Sequence, residues 1–152
     1  MTIPSITVTF PGGQRVDAAV GEHVVHTDQP AAQGGANTAP DPFSLFLASL
    51  ATCAGFYVQA FCKTRGISTQ GVELTQSATY DDQKRLSEVA VDVQLPPGFP
   101  DRYVEGIRAA AASCKVKKVL ASPPNVLVRV IRDPATLQAA LDGAAASRGQ
   151  EV

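Results

Sequence analysis

Several common functional signatures are missing from this chain, and each absence narrows what it does. Three cysteines in 152 residues are too few and too scattered for the disulfide framework of a small secreted domain, so any disulfide here is expected to be transient and chemical. There is no C-x-x-C pair. The two histidines, His23 and His26, lie three apart on an expected strand and so point to opposite faces, and no zinc site is expected. Charge of either sign is in short supply: the formal net charge is -1 and the pI is near 6.1. No overall basic field exists to hold nucleic acid or an anionic membrane, and neither is expected as a partner. The N-terminal MTIPSITVTF lacks a charged region followed by an apolar stretch and a small-residue cleavage site, so no secretory signal is read and a cytoplasmic protein is expected. The longest apolar stretch, residues 43–62, is interrupted by Ser44, Ser49, Thr52 and Gln59, and no membrane span is expected from it.

What is present reads as one α+β domain over residues 1–152. ITVTF at 6–10 alternates β-branched or aromatic residues with threonine and PGG at 11–13 turns the chain, so a hairpin region is expected over 3–27, with residues 15–27 returning as one or two strands. DQPAAQGGANTAPDP is aperiodic and rich in Gly, Pro and Ala, which marks a loop over 28–41. Asp41 is a good N-cap and Pro42 suits the first helical position, because proline lacks only a donor that is unpaired there. The helix is expected over 42–65. Strands follow at 70–80 and 86–95, then helical sequence at 101–121 with a break near Cys114, a strand at 125–131 and a terminal helix at 134–147. Helices packed on mostly antiparallel sheets are the architecture this order predicts.

Cys53 stands in the middle of the helical run DPFSLFLASLATC. Nine residues separate it from Cys62, which puts the two on opposite helix faces roughly 13 Å apart along the axis. They are too far apart to bridge. Within the chain Cys53 has only Cys114 as a geometrically open partner. Cys114 sits in SCKVKK, where Lys115, Lys117 and Lys118 favour its thiolate, whereas Cys53 has no charge nearby in sequence and lies beyond the dipole of its own helix N-terminus. A reactive Cys53 therefore needs a cation from elsewhere in the fold or across a subunit interface. Arg15 is the candidate. A buried cysteine is also a small hydrophobe, and that reading stands for all three thiols. A hydrolase with Cys53 as nucleophile and His26 as base lacks an oxyanion loop and an orienting third residue.

The run APDPFSLFLASLATC, the upstream TDQP and GG of residues 27–35, and the later AAASCKVKKVL together resemble the OsmC/Ohr family, over about Val16 to Ile131. The most specific part is the Pro-x-x-Leu helix start with a cysteine eleven residues after the proline, here Pro42, Leu45 and Cys53, joined to a second cysteine on a later helix. The resemblance implies an α+β fold with mostly antiparallel sheets and two long central helices, assembled as an intertwined homodimer with its active site at the subunit interface. It also implies an oxidative-stress enzyme, a thiol-dependent peroxidase for organic hydroperoxides. Cys53 would be the peroxidatic residue, Cys114 the resolving one, and a dithiol reductant such as a lipoyl group, free or on a lipoylated protein, the co-substrate. No bound cofactor is implied.

Two positions depart from the family pattern. Phe43 stands where the peroxidases carry a glutamate that orients the activating arginine, and a neutral aromatic cannot hold that arginine by a charge-assisted bond. Lys115 follows the second cysteine where proline is common. Phe43, with Phe56 and Tyr57, is expected to shape a substrate pocket. Phe43 also reads as core, and that reading is favoured because Phe43, Phe46, Leu47 and Leu50 form one helical stripe. Two functions follow: a Cys53/Cys114 peroxidase, or a family member that binds a small apolar ligand or serves another redox role.

Overall fold

The computed structural model describes residues 5–133 together with 136 and 139. Residues Met1–Ser122 form one compact unit and Pro123–Val152 a second. The first unit opens with β1 (Ile6–Gly12), β2 (Arg15–Val20) and β3 (His23–Thr27), an antiparallel three-stranded meander in the order β1-β2-β3. Residues 15–27 therefore return as two strands. Ile6 pairs with Val20, Val8 with Ala18 and Ala18 with Val25, so one face of the sheet is apolar. Among the described residues no helix packs extensively on that sheet, and Ile6, Val8 and Phe10 are 59%, 48% and 81% exposed.

The loop that follows is organised by one carboxylate. Asp28 is buried at 1% exposure. It accepts from the backbone N–H of Gln29 at 2.8 Å, of Ala36 at 3.2 Å and of Thr38 at 3.0 Å, and from the Thr38 hydroxyl at 2.8 Å. The Thr38 backbone and hydroxyl bonds, against the cost of burial and with help from Gln29 and Ala36, hold this carboxyl below the usual carboxylate range. A depressed pKa stabilises the fold above the unfolded value of about 3.9 and is lost as the pH falls through the folded value. We expect the 28–41 loop to become susceptible to limited proteolysis only below about pH 4, and Asp28→Asn to be susceptible already at neutral pH. Equal resistance of variant and wild type at neutral pH would show that Asp28 does not hold the loop.

That loop delivers the chain to α1 (Pro42–Thr64), 23 residues long. The Asp41 side chain caps it, accepting from Phe43 N–H at 2.9 Å and Ser44 N–H at 3.1 Å, and Arg65 ends it just before Gly66 at φ 64°. α1 is long and apolar enough to cross a membrane by length and composition alone, a test that the core helix of a soluble protein also passes. Ser49 and Thr52 return their hydroxyls to the carbonyls of Phe46 and Ala48 at 2.6 and 2.8 Å, which satisfies their polarity inside the helix. Its Leu50, Ala54, Val58 and Cys62 stripe is instead buried in protein.

β4 (Glu73–Tyr80) and β5 (Leu86–Gln94) form an antiparallel hairpin. β4 starts at Glu73 because Gly71, at φ 78°, turns the chain there. α2 (Val104–Ala112) and α3 (Lys115–Ala121) follow, separated by Ser113 and Cys114. The core lies between α1, α2 and the β4–β5 hairpin in two adjoining clusters, one around Leu50, Ala54 and Cys114 and one around Val58, Cys62 and Ile107. α2 approaches α1 closely at Gly106, where a Cβ would lie 2.4 Å from Phe61 Cζ.

In the second unit, residues 123–132 form no strand, which corrects the expected strand at 125–131. A strand exists only where a neighbouring edge accepts its hydrogen bonds, and the apolar alternation of VLVRV cannot supply one. Val126, Val128 and Val130 are 80%, 90% and 91% exposed. The expected terminal helix at 134–147 lies almost wholly outside the described residues.

Candidate functional site

Cys53 is half-buried on the face of α1 that meets the break between α2 and α3, and it packs with Val116 around the cluster containing Cys114. Helix geometry places it on α1 but does not activate it. The activation comes from the other side of the contact. Cys114 is the N-cap of α3, with its Sγ accepting from the backbone N–H of Lys117 at 3.4 Å. Its thiol also donates to the Leu50 carbonyl at 3.8 Å. The first N–H groups of a helix have no partner within it, and those of Val116 and Lys115 act to lower the Cys53 pKa.

The two thiols are consequently driven apart in acidity. Burial pulls Cys53 up, but the Val116 N–H, the Cys114 thiol, and the N–H and positive charge of Lys115 outweigh it and leave Cys53 below the usual thiol range. Burial pushes Cys114 up, and although the Lys117 N–H opposes this, the neighbouring Cys53 adds to it. The two are biased in opposite senses, Cys53 toward its thiolate and Cys114 toward its protonated thiol. Both are free and not bridged. The lysines of SCKVKK were expected to favour the thiolate of Cys114, and the structure turns that round, because the Lys115 charge acts on Cys53.

The other expected site residues fall elsewhere. Arg15 gives its guanidinium to Asp17 at 3.2 Å, and Asp17 also meets His26 Nδ1 at 2.8 Å. The Arg15 charge is therefore engaged within the first sheet. Phe43 is 45% exposed and stacks on Phe46 with ring centroids 5.7 Å apart, so it is not core; at the second helical position it precedes the first point where α1 is covered. Phe56 is 62% exposed and lines a hollow of about 370 Å³ with Thr52, Gly55 and Gln59. Tyr57, edge-on to Phe56 at 5.6 Å, follows Cys53 by one helical turn and shares its face. Cys62 is fully buried against Val58 and Ile107, where burial pushes its thiol up. It behaves as core.

A larger cavity, about 730 Å³, lies between α1, β5 and the α2–α3 pair. Phe46, Leu50, Val89, Ile107 and Leu120 line it, together with Cys114 and Lys117. None of Phe43, Phe56 and Tyr57 takes part in it. Among the described residues no group of acidic, histidine and cysteine side chains is arranged to hold a metal ion. Two features escaped the linear reading: Lys115 as a neighbour of Cys53, and the N–H of Val116. The signal for both was the cysteine directly before the helical KVKKVL, which marks a helix start and not a helix interior.

The fold and the site define an α+β protein built around a pair of unequal thiols. The profile of the OsmC-like protein family matches residues 34–129, more than half of the chain, and the chain belongs to that family. Among solved structures it resembles an osmotic stress induced and detoxification response protein from Psychrobacter arcticus, at 23% identity over 78% of this chain and 88% of that one, with a TM-score of 0.66. An organic hydroperoxide resistance protein from Legionella pneumophila aligns at 21% identity, 80% and 93% coverage and a TM-score of 0.54. One from Elizabethkingia anophelis aligns at 21%, 82% and 91%, with a TM-score of 0.53. No match was found among curated protein sequences.

Proposed function

We propose that the protein is a thiol-dependent peroxidase that reduces organic hydroperoxides, with Cys53 as the peroxidatic and Cys114 as the resolving residue. The observation that carries this reading is the contact between a thiol held below its usual range and one held above it. The Cys53 thiolate attacks the terminal oxygen of ROOH, the O–O bond breaks, and the alkoxide takes a proton from water to leave as ROH. Cys53 is then a sulfenic acid. Cys114 attacks its sulfur, the S–O bond breaks, and the disulfide forms with loss of water. A dithiol such as a lipoyl group, free or protein-bound, returns both cysteines to thiols and becomes a disulfide itself. Assignment to the cytoplasm accords with this cycle, which needs a compartment that keeps thiols reduced.

The same reading includes a homodimer. The apolar face of the first sheet and the exposed aromatics Phe43 and Phe56 form surface that a second copy would bury, and soluble monomers seldom leave so much apolar surface uncovered.

Stopped-flow mixing of the reduced protein with one equivalent of cumene hydroperoxide, followed by mass spectrometry, tests the proposal. The expected product is a Cys53–Cys114 disulfide, formed far faster than a free thiol reacts. The rate should rise with pH and level off below the free-thiol value of about 8.5, since only the thiolate attacks. Reaction no faster than that of a free cysteine would reject the peroxidase. It would favour the second reading, a family member that binds a small apolar ligand, for which the 730 Å³ cavity is the supporting observation.

A further inference from the structure

The peroxidase cycle consumes the Cys114 thiol as a reagent, yet the fold already employs that sulfur as a helix cap. Resting on the peroxidase reading, we infer that closing the Cys53–Cys114 disulfide uncaps α3, which makes this helix a redox-responsive element, held in the dithiol protein and loosened in the disulfide. Two hydrogen bonds meet at Cys114, which is buried at 2% exposure. Its Sγ accepts from the Lys117 N–H at 3.4 Å and so caps α3, and its S–H donates to the Leu50 carbonyl of α1 at 3.8 Å. The first bond fixes the start of α3, and the second fastens that start to α1.

Little else in the chain holds α3. It has 7 residues, about half the length at which an isolated helix begins to persist in water. Val116 alone of Lys115–Ala121 packs against a core cluster, and the other six residues are exposed in the chain. The cap is also a weak one, because sulfur is a poorer acceptor than the oxygens of Ser, Thr, Asp and Asn that helix starts prefer.

Oxidation acts on both bonds. The two thiols are free, and Cys53 packs against the cluster that contains Cys114. When Cys114 attacks the Cys53 sulfenic acid, its proton leaves with the sulfenic oxygen as water and an S–S bond replaces the S–H. The donor to the Leu50 carbonyl is then gone. The S–S bond is about 2.05 Å long, so two sulfurs that are now unbonded must converge. Cys53 sits in the middle of a 23-residue helix with four residues buried in the core, whereas Cys114 sits at the joint between α2 and α3. The displacement therefore falls on Cys114, and the Lys117 N–H loses its acceptor. Lys117 and Leu120 line the 730 Å³ cavity, so the α3 wall of that cavity is the part of the fold that responds.

Amide hydrogen exchange, followed residue by residue by NMR on the whole chain, tests this. The dithiol protein is compared with protein oxidised by one equivalent of diamide, which takes up the two thiol hydrogens and becomes a hydrazine, so that no peroxidase step is needed. Peptide mass spectrometry verifies the Cys53–Cys114 disulfide. The amides of Lys117 to Leu120 are expected to exchange about fivefold faster in the disulfide form, as loss of an N-cap implies, with those of Val58 to Cys62 unchanged. Cys114→Ala, which has no cap, should show the same acceleration without oxidant. Cys114→Ser, whose hydroxyl caps more strongly, should exchange no faster than the dithiol protein. Equal or slower α3 exchange in a verified disulfide would overturn the inference, as would a Cys114→Ala variant with α3 exchange unchanged; the wild-type comparison stands without any variant. The two readings fail separately. A disulfide that loosens α3 in a protein inactive toward hydroperoxide would sustain the switch and reject the peroxidase, an active peroxidase with α3 unaltered would do the reverse, and failure of diamide and hydroperoxide alike to form the disulfide would reject both.

Discussion

Replacing Cys53 with serine is expected to abolish hydroperoxide consumption, lowering the single-turnover rate by roughly 10³-fold or more, as loss of a nucleophile does in enzymes that form a covalent intermediate. A serine hydroxyl at neutral pH offers no anion for the N–H groups of Lys115 and Val116 to stabilise. Cys114→Ser should behave differently. Its first step should survive, because the serine hydroxyl can still donate toward Cys53, but no thiol is left to trap the sulfenic acid. With excess cumene hydroperoxide, mass spectrometry should find Cys53 advancing to sulfinic acid, which thiols do not reverse. The order of events is thereby tested as well as the identities. If Cys114→Ser lost the first step and Cys53→Ser kept it, the two roles would be exchanged, and the acidity difference between the thiols would have no bearing on which one attacks.

The largest expected effect on stability belongs to Gly35→Ala. A Cβ at this position would stand 1.8 Å from the Gln29 carbonyl oxygen and 2.4 Å from its carbon. Those are backbone atoms, so no side-chain rotation relieves the overlap; the segment between Gln29 and Asn37 would have to open. That opening also breaks the bonds by which Ala36 and Thr38 hold Asp28. We expect a loss of about 3 kcal/mol, in the range of substitutions that force strained or broken backbone, read as a lowered urea midpoint with an unchanged slope. A midpoint within error of wild type would mean that the loop reshapes at little cost and that its glycine is not a packing requirement.

Much of the site can be read along the chain, and the misreadings have a common origin. Asp41 and Pro42 announce the start of α1 through local chemistry, and the helix begins there. Cys53 and Cys62 differ in face by helical period alone, and the structure accordingly finds one half-buried and the other in the core. Phe43 was misplaced because periodicity shows which residues share a face without showing where along the helix that face is covered. Leu50, two turns later, is the first of the stripe to be buried. Arg15 was proposed for want of a nearer cation, and within the chain it pairs with Asp17, two residues along the same strand. Backbone N–H groups, which composition cannot display, are among the causes that lower Cys53.

From the linear order of residues follow the α+β class, the antiparallel pairing of neighbouring strands, the cap and length of α1, and the candidacy of Cys53 and Cys114, since each depends on local propensity, period or spacing. Packing in three dimensions settled which thiol is acidic. That property depends on a sulfur from α1 meeting the unpaired N–H groups at the start of α3, more than sixty residues later. Electrostatic fields act through space, and the separation of two groups in space is not written in their separation along the chain.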